Sequence, residues 1–257
     1  MHADSTSFRL DGKTAVITGG GGGIGTAAAL ALAQAGTDIA VVGRNTEKLE
    51  QTAARVKALG RQAVIVQADV TDEAQIAAGV DHIMSTFGRI DILFNNAGTT
   101  SPKLMSDISV KEWHQVLDVS LTGAFLFSRA VLPFMVAQNY GRILNMGSIL
   151  SGRGMANRTA YCAAKAGLAN FGAAMAFEYG RNGVTVNTIG ATVIVTDLNR
   201  DLIKTQPQLY EKVVARSAIG RLGELDDVTG LIVFLASHEA SFITGQTIYV
   251  DGGYTAG

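Results

Sequence analysis

Tyr161 and Lys165 stand four residues apart in Y-C-A-A-K, and Ser148 lies thirteen residues before that tyrosine. On a helix this spacing puts both side chains on one face, where the ammonium favours the ionised form of the phenol. A phenol so tuned exchanges its proton with a reacting oxygen, and a nearby serine hydroxyl hydrogen-bonds that oxygen as charge develops. The trio suits proton transfer to or from a carbonyl or alcohol. Far upstream, T-G-G-G-G-G-I-G puts six glycines among residues 18–25. Between a strand and a helix, Gly19, Gly23 and Gly25 would leave backbone N–H groups open to a pyrophosphate, with no side chain to block close approach.

These groups need elements to carry them. Short apolar runs read as strands buried on both faces: T-A-V-I-T from Thr14, D-I-A-V-V from Asp38, A-V-I-V-Q from Ala63, D-I-L-F from Asp91. R-I-L-N-M from Arg142, V-T-V-N-T-I from Val184 and Q-T-I-Y-V from Gln246 complete the set. Helical spacing fills residues 26–35, 46–59, 72–87, 110–138 and 157–179 between the first six. That alternation predicts a doubly wound α/β fold with a parallel sheet. No Pro/Ser linker interrupts it, and the three prolines are Pro102, Pro133 and Pro207. Residues 1–257 read as one domain, with the glycine turn after the first strand and Tyr161 opening the helix after the fifth.

Composition excludes other classes. The chain has 257 residues, 47% hydrophobic, and a net charge of −1, with no basic run to follow a nucleic acid or an anionic membrane. The segment M-H-A-D-S-T-S-F lacks the apolar core of a signal peptide, and no run of about 18 apolar residues stands out, so a cytoplasmic protein is expected. The single Cys162 excludes an intrachain disulfide, and His2, His82, His114 and His238 lack metal-ligand spacing. Asn157-Arg158-Thr159 matches a glycosylation acceptor, a chance match in a cytoplasmic chain.

Read in order, T-G-x-x-x-G-x-G, N-N-A-G at residues 95–98, Ser148, Y-x-x-x-K and the closing V-D-G-G-Y at residues 250–254 make one pattern. From about Leu10 to Tyr254 the chain resembles the short-chain dehydrogenases/reductases. The resemblance implies a single-domain, Rossmann-like, seven-stranded parallel sheet flanked by helices, in which a hydride passes between a nicotinamide cofactor and a carbonyl or alcohol. It assigns catalysis to Ser148, Tyr161, Lys165 and Ser120, with Lys165 also anchoring the nicotinamide ribose. Ionising the phenol near neutral pH takes about 4 kcal/mol, which one ammonium plus an oxidised nicotinamide could supply. Ile24 joins the three glycines at the pyrophosphate, while Asn96, Ala97 and Gly98 line the cofactor. Asp69 contacts adenine with Val70 beside it, and Val193 and Thr196 lie near the nicotinamide. Met155, Asn157 and Thr192 join Ser148 and Tyr161 around the substrate. No metal is implied.

Cofactor choice rests on the second strand. Enzymes preferring the unphosphorylated cofactor place an acid about 20 residues beyond the glycines, and here Gly43 occupies that place. Arg44 follows, with Asn45 beside it, and a guanidinium suits a 2′-phosphate, so NADP(H) is favoured and NAD(H) remains possible. The alternative puts Arg44 over the adenine or in solvent. For Asp69 the alternative is a helix cap, a role Thr71 or Asp72 also suits.

Two positions depart from the family. Ser120 stands where an asparagine usually bends the helix and holds a water in a proton path through Lys165; a serine bonding back to its own helix would bend it as well. Ala191 and Thr192 replace Pro-Gly after the sixth strand, loosening the mouth of the site, and Thr192 is shared with dicarbonyl and xylulose reductases. A lid over about residues 196–216 mixes Leu198, Leu202, Ile203 and Tyr210 with polar residues. The expected substrate is a small ketone, sugar, polyol or dicarbonyl; 3-oxoacyl-thioester reduction, NAD-preferring alcohol oxidation and a catalytically weak cofactor-binding protein are the alternatives. The family habit implies a homotetramer, with Gly167, Gly172 and neighbouring alanines letting subunits approach.

Overall fold

The computed structural model describes residues 8–197 and 199–257; residues 1–7 and Leu198 lie outside the described residues. Seven parallel strands form one sheet in the order β3-β2-β1-β4-β5-β6-β7. They are β1 (Thr14–Thr18), β2 (Asp38–Gly43), β3 (Ala63–Gln67), β4 (Ile92–Asn95), β5 (Gly141–Met146), β6 (Val184–Ala191) and β7 (Thr247–Val250). Alternate residues of each strand serve opposite cores. Ala15, Ile17, Ile39 and Val41 pack with the helices α1 (Gly23–Gln34) and α2 (Thr46–Ala58), while Val16, Ala40 and Val42 pack on the other face with α3 (Glu73–Phe87). Strands walled on both sides must be apolar throughout, which is why their sequences are continuous apolar runs. Fully buried Phe94 and Phe127 each contribute about 1.5–3 kcal/mol of transfer free energy.

The run 110–138, expected as one helix, is divided. α4 (Val110–Leu117) opens on a capping box in which Ser109 and Glu112 satisfy each other's backbone, and α5 (Gly123–Gln138) follows a π-helical turn at Asp118–Thr122. Val110–Gln138 has a mean hydropathy of 1.6 over its apolar window, long and apolar enough by composition to cross a membrane, contrary to the expectation. Here it is a sheet-covering helix: Leu126, Phe127, Val131 and Met135 lie in the core of that face.

α6 (Thr159–Tyr179) returns the chain to the sheet. Beyond it, the sequence pattern missed α7 (Arg200–Thr205), α8 (Gln208–Arg216) and α9 (Leu225–Ala236). α9 packs beside α1 through Val228, Ile232 and Leu235. Ala191, expected in a loop, ends β6 and is buried. The glycines of α6 also serve the chain itself. A Cβ on Gly172 would stand 2.9 Å from Asn145 Nδ2, and one on Gly167 would stand 3.0 Å from Leu121. These positions let α6 approach the sheet and the π turn within the chain.

Sheet order reverses between β1 and β4. Strands added after β1 run one way to β3, and strands from β4 run the other way to β7. The connections therefore diverge above these two strands and leave a crevice at their carboxyl ends.

Candidate active site

The glycine turn crosses that crevice. α1 begins at Gly23, so Gly23 and Gly25 lie in its first turn rather than ahead of it, where first-turn amides have no intrahelical acceptor. Gly19 and Gly23 take left-handed φ values of 64° and 51°. A Cβ on Gly25 would fall 2.2 Å from the Gly19 carbonyl oxygen, so the first helical turn can lie on the turn before it only because Gly25 has no side chain. Asn96 clasps the same turn: its Nδ2 donates to the carbonyls of Thr18 at 3.0 Å and Gly19 at 3.2 Å. Thr18 answers by accepting from the amides of Asn96 and Ala97 at 3.0 and 3.1 Å. Thr18 opens the motif T-G-x-x-x-G-x-G, but the pattern alone did not show that its hydroxyl holds the segment after β4.

Gly98 joins this clasp to the chemistry. A Cβ there would lie 3.6 Å from both Lys165 Nζ and Ser120 Oγ, which approach from opposite helical segments. Ser148, 7% exposed, caps the short turn at Ile149–Ser151: its Oγ accepts from Leu150 N at 3.1 Å while Ser151 Oγ receives its amide. These bonds fix the serine hydroxyl at the end of β5.

Tyr161 and Lys165 share a face of α6, yet the expected lowering of the phenol is overturned in the free protein. Burial pushes Tyr161 above its ordinary value, and the Ser148 hydroxyl and Arg158 guanidinium only partly oppose this. Lys165 is itself buried, its ammonium lowered by desolvation to about 8, and its Nζ donates to the Met146 carbonyl at 2.5 Å. The ammonium lies 5.6 Å from the centre of the Tyr161 ring. Desolvation of the phenol outweighs a cation aimed at a backbone carbonyl.

Ser120 does not bond back to its helix. Its Oγ accepts from Thr99 N at 3.2 Å and donates to Thr99 O at 3.3 Å, tying the π turn to the segment after Gly98. The expected bond back to the helix is thus replaced by this tie, and Ser120 sits within the π turn.

The remaining expected residues divide. Gly43 ends β2, with ordinary room for a side chain against Leu49. Arg44 is 78% exposed and reaches Asp69 at 3.8 Å. Asp69 accepts from both the amide and the hydroxyl of Thr71, and its carboxyl sits below the usual range chiefly for that reason. Asp72 takes the cap of α3. Asn45 caps α2 through Lys48 N, so its side chain is committed to the helix. Val70 is buried against Gly123, and Ile24 packs on the core of its face. Thr196 borders the turn at Gly23, and the Val193 carbonyl accepts from Gly223 N. The Thr192 hydroxyl is buried without a partner beside a cavity of about 130 Å³ that includes Ile194, Arg221 and Asp251. Met155 and Asn157 are exposed on the approach to α6, and Asn157 turns the chain with φ 61°. Sequence reasoning passed over Arg158, which acts on Tyr161 from one helical turn away. Its place three residues before the tyrosine was the signal.

Among the described residues, no three His, Cys, Asp or Glu side chains are grouped to hold a metal. A family model described as enoyl-(acyl carrier protein) reductase matches residues 19–255. The chain is 39% identical to cis-4-hydroxycyclohexanecarboxylate dehydrogenase of Sinomonas cyclohexanicum, over 95% of this chain and 97% of that protein. It is 36% identical to a 3-oxoacyl-[acyl-carrier-protein] reductase of Pseudomonas aeruginosa, over 95% and 98%. The crystal structure of a gluconate 5-dehydrogenase from Burkholderia cenocepacia, in complex with NADP and tartrate, superposes with a TM-score of 0.93 at 35% identity, covering 98% of each chain.

Proposed function

The chain belongs to the short-chain dehydrogenase/reductase family, and on that premise we propose that it is an NADP(H)-dependent oxidoreductase acting on a small carbonyl or secondary alcohol. The observation that carries this reading is the convergence at Gly98. The strap that clasps the glycine turn passes close by Lys165, a Cβ on Gly98 falling 3.6 Å from its Nζ, and Lys165 stands one turn along α6 from Tyr161.

The residues fit the cofactor. A cradle that a Cβ at Gly25 would fill suits a pyrophosphate, Gly43 offers no acid to repel a 2′-phosphate, and Arg44 is exposed beside it. Bound there, the nicotinamide supplies or accepts the hydride. Tyr161 gives its phenolic proton to the substrate oxygen during reduction, and its raised value keeps it protonated until then. Ser148, held by its turn, hydrogen-bonds the same oxygen as it gains charge. Lys165 holds the ribose and returns a proton towards Tyr161. Ser120 acts by holding the strap rather than through bonds within its helix.

Two of the similar proteins are named for hydroxy-carboxylic acids, which supports a small polar substrate; the acyl-carrier reductase keeps a 3-oxoacyl thioester as the second reading. A panel of hydroxy acids, polyols, diketones and 3-oxoacyl thioesters, assayed with NADPH/NADP⁺ and NADH/NAD⁺, tests both. Turnover confined to thioesters would replace the first reading with the second, and turnover with NAD(H) alone would remove the cofactor assignment.

We also propose a homotetramer. With the α6 glycines serving the chain's own packing, support comes from Phe177 on α6, 91% exposed, and from Phe125 on α5, 40% exposed. Light scattering at assay concentration reads the mass, and a monomer there refutes it.

A further inference from the structure

The substrate oxygen faces Ser148 and Tyr161, and the nearest cation of the approach loop is Arg158. It is the N-cap residue of α6, three residues before Tyr161, with a non-helical backbone at φ −135° and ψ 22°, and its charge is felt at the Tyr161 phenol. Three other cations already have partners. Arg153 donates to the Thr255 carbonyl, Lys103 pairs with Glu112 at 2.6 Å, and Arg221 pairs with Asp227 at 2.6 Å. Arg158 pairs with no carboxylate among the described residues, and its one hydrogen bond runs to the adjacent Asn157 carbonyl at 3.5 Å. It is half-buried, at the edge between site and solvent.

Its surroundings reinforce the charge. The first turn of α6 carries no acidic residue, and the Thr159 hydroxyl is buried without a partner. Helix start, guanidinium and free hydroxyl make one positive corner beside the catalytic phenol.

We propose that Arg158 is the specificity-determining residue of the site and binds a carboxylate of the substrate, so that the physiological substrate is a hydroxy- or oxo-carboxylic acid rather than a neutral alcohol, ketone or thioester. The inference rests on the oxidoreductase reading and names its substrate class. A planar fork with no competing acid offers two parallel hydrogen bonds to a carboxylate, a fit that an amide or ester cannot match in charge. The same contact has a chemical consequence. Arg158, like the Ser148 hydroxyl, favours loss of the Tyr161 proton, so a carboxylate that neutralises it leaves burial to hold Tyr161 more firmly in the protonated form. Binding such a substrate thereby holds the phenol protonated until the hydride arrives, at the cost of making it a weaker acid.

The test separates binding from turnover. Calorimetric titrations of the NADP⁺-saturated protein with cyclohexanecarboxylate and cyclohexanecarboxamide, neither of which can react, compare wild type with Arg158→Gln and Arg158→Lys. Wild type should bind the acid at least tenfold more tightly than the amide, the Gln variant should bring the two within about threefold, and the Lys variant should restore part of the gap. Steady-state oxidation of 4-hydroxycyclohexanecarboxylate and its amide should place the loss in KM for the acid more than in kcat. Equal binding of acid and amide by wild type overturns the proposal, as does an undiminished gap in Arg158→Gln. A preserved acid preference without NADPH formation from any alcohol would leave the carboxylate site standing and sink the oxidoreductase reading instead.

Discussion

Lys165 Nζ donates to the Met146 carbonyl at 2.5 Å and stands 5.6 Å from the centre of the Tyr161 ring. The ammonium is thus directed at the sheet before any cofactor binds, and desolvation governs the phenol. In the free protein Tyr161 should titrate above the ordinary tyrosine range. Absorbance at the phenolate band, taken as wild type minus Tyr161→Phe, reads that one residue. A phenolate appearing near neutral pH without cofactor would show the ammonium winning after all. Tyr161→Phe should also lower hydride-transfer rates by about 10²–10⁴-fold, the usual cost of a lost general acid, while the affinity for NADPH changes little.

Lys165 carries a stability signature of its own. Its folded-state value is lowered from 10.5 to about 8, so between those values the unfolded chain binds more protons and stability rises with pH. Below about pH 8 both states are protonated, and the folded state bears the full cost of the buried charge. Wild type should therefore gain about 2 kcal/mol relative to Lys165→Met between pH 7 and 9.5, measured by urea denaturation at each pH. A constant difference across that range would mean that the ammonium is solvated in the fold.

What the sequence disclosed follows from which signals are local. Strands buried on both faces write themselves as apolar runs, so β1 to β7 were legible to within a residue or two. The glycines were legible because no other residue permits the approach of Gly25 to the Gly19 carbonyl. α9 was missed although its Val228, Ile232 and Leu235 hold helical spacing, because L-I-V-F-L reads equally as a buried strand until α1 is seen beside it. The polarity of Tyr161 was misjudged for a related reason. Spacing puts Lys165 on the same face, but only the fold reveals the Met146 carbonyl that accepts its hydrogen bond. Arg158 likewise gains its meaning from acids that are absent around it, which are contributed or withheld by distant parts of the chain.

Cofactor preference should turn on two adjacent residues. Arg44 is exposed and only loosely paired with Asp69, so it can turn to a 2′-phosphate at small cost. Arg44→Ala should weaken NADPH binding by roughly 10- to 100-fold, the worth of a hydrogen bond to a charged group, and leave NADH within about threefold. Gly43→Asp should invert the preference, since Leu49 leaves ordinary room at that position and the carboxylate would repel the phosphate while accepting from ribose hydroxyls. Fluorescence titration of both cofactors on both variants checks this. Parallel losses for NADPH and NADH in Arg44→Ala would assign the guanidinium to the adenine ring.

Ser120 is the sharpest test of how the site is held. Its hydroxyl meets the Thr99 amide and carbonyl together while Ser120 is 1% exposed, so Ser120→Ala leaves a part-buried amide without its partner and should cost about 1 kcal/mol. Because Thr99 follows the strap that clasps the glycine turn, the loss should reach the chemistry as well: kcat should fall about tenfold. Ser120→Asn must fit a longer amide into space bounded by Gly98 and the π turn, at a cost of about 1–3 kcal/mol from overpacking. Both variants should therefore lose stability and slow hydride transfer in stopped-flow traces, with Ser120→Thr, which keeps the hydroxyl, holding the larger share of each. Faster hydride transfer in Ser120→Asn at unchanged stability would show instead that the chain tolerates the asparagine relay and that the Thr99 bridge is incidental to catalysis.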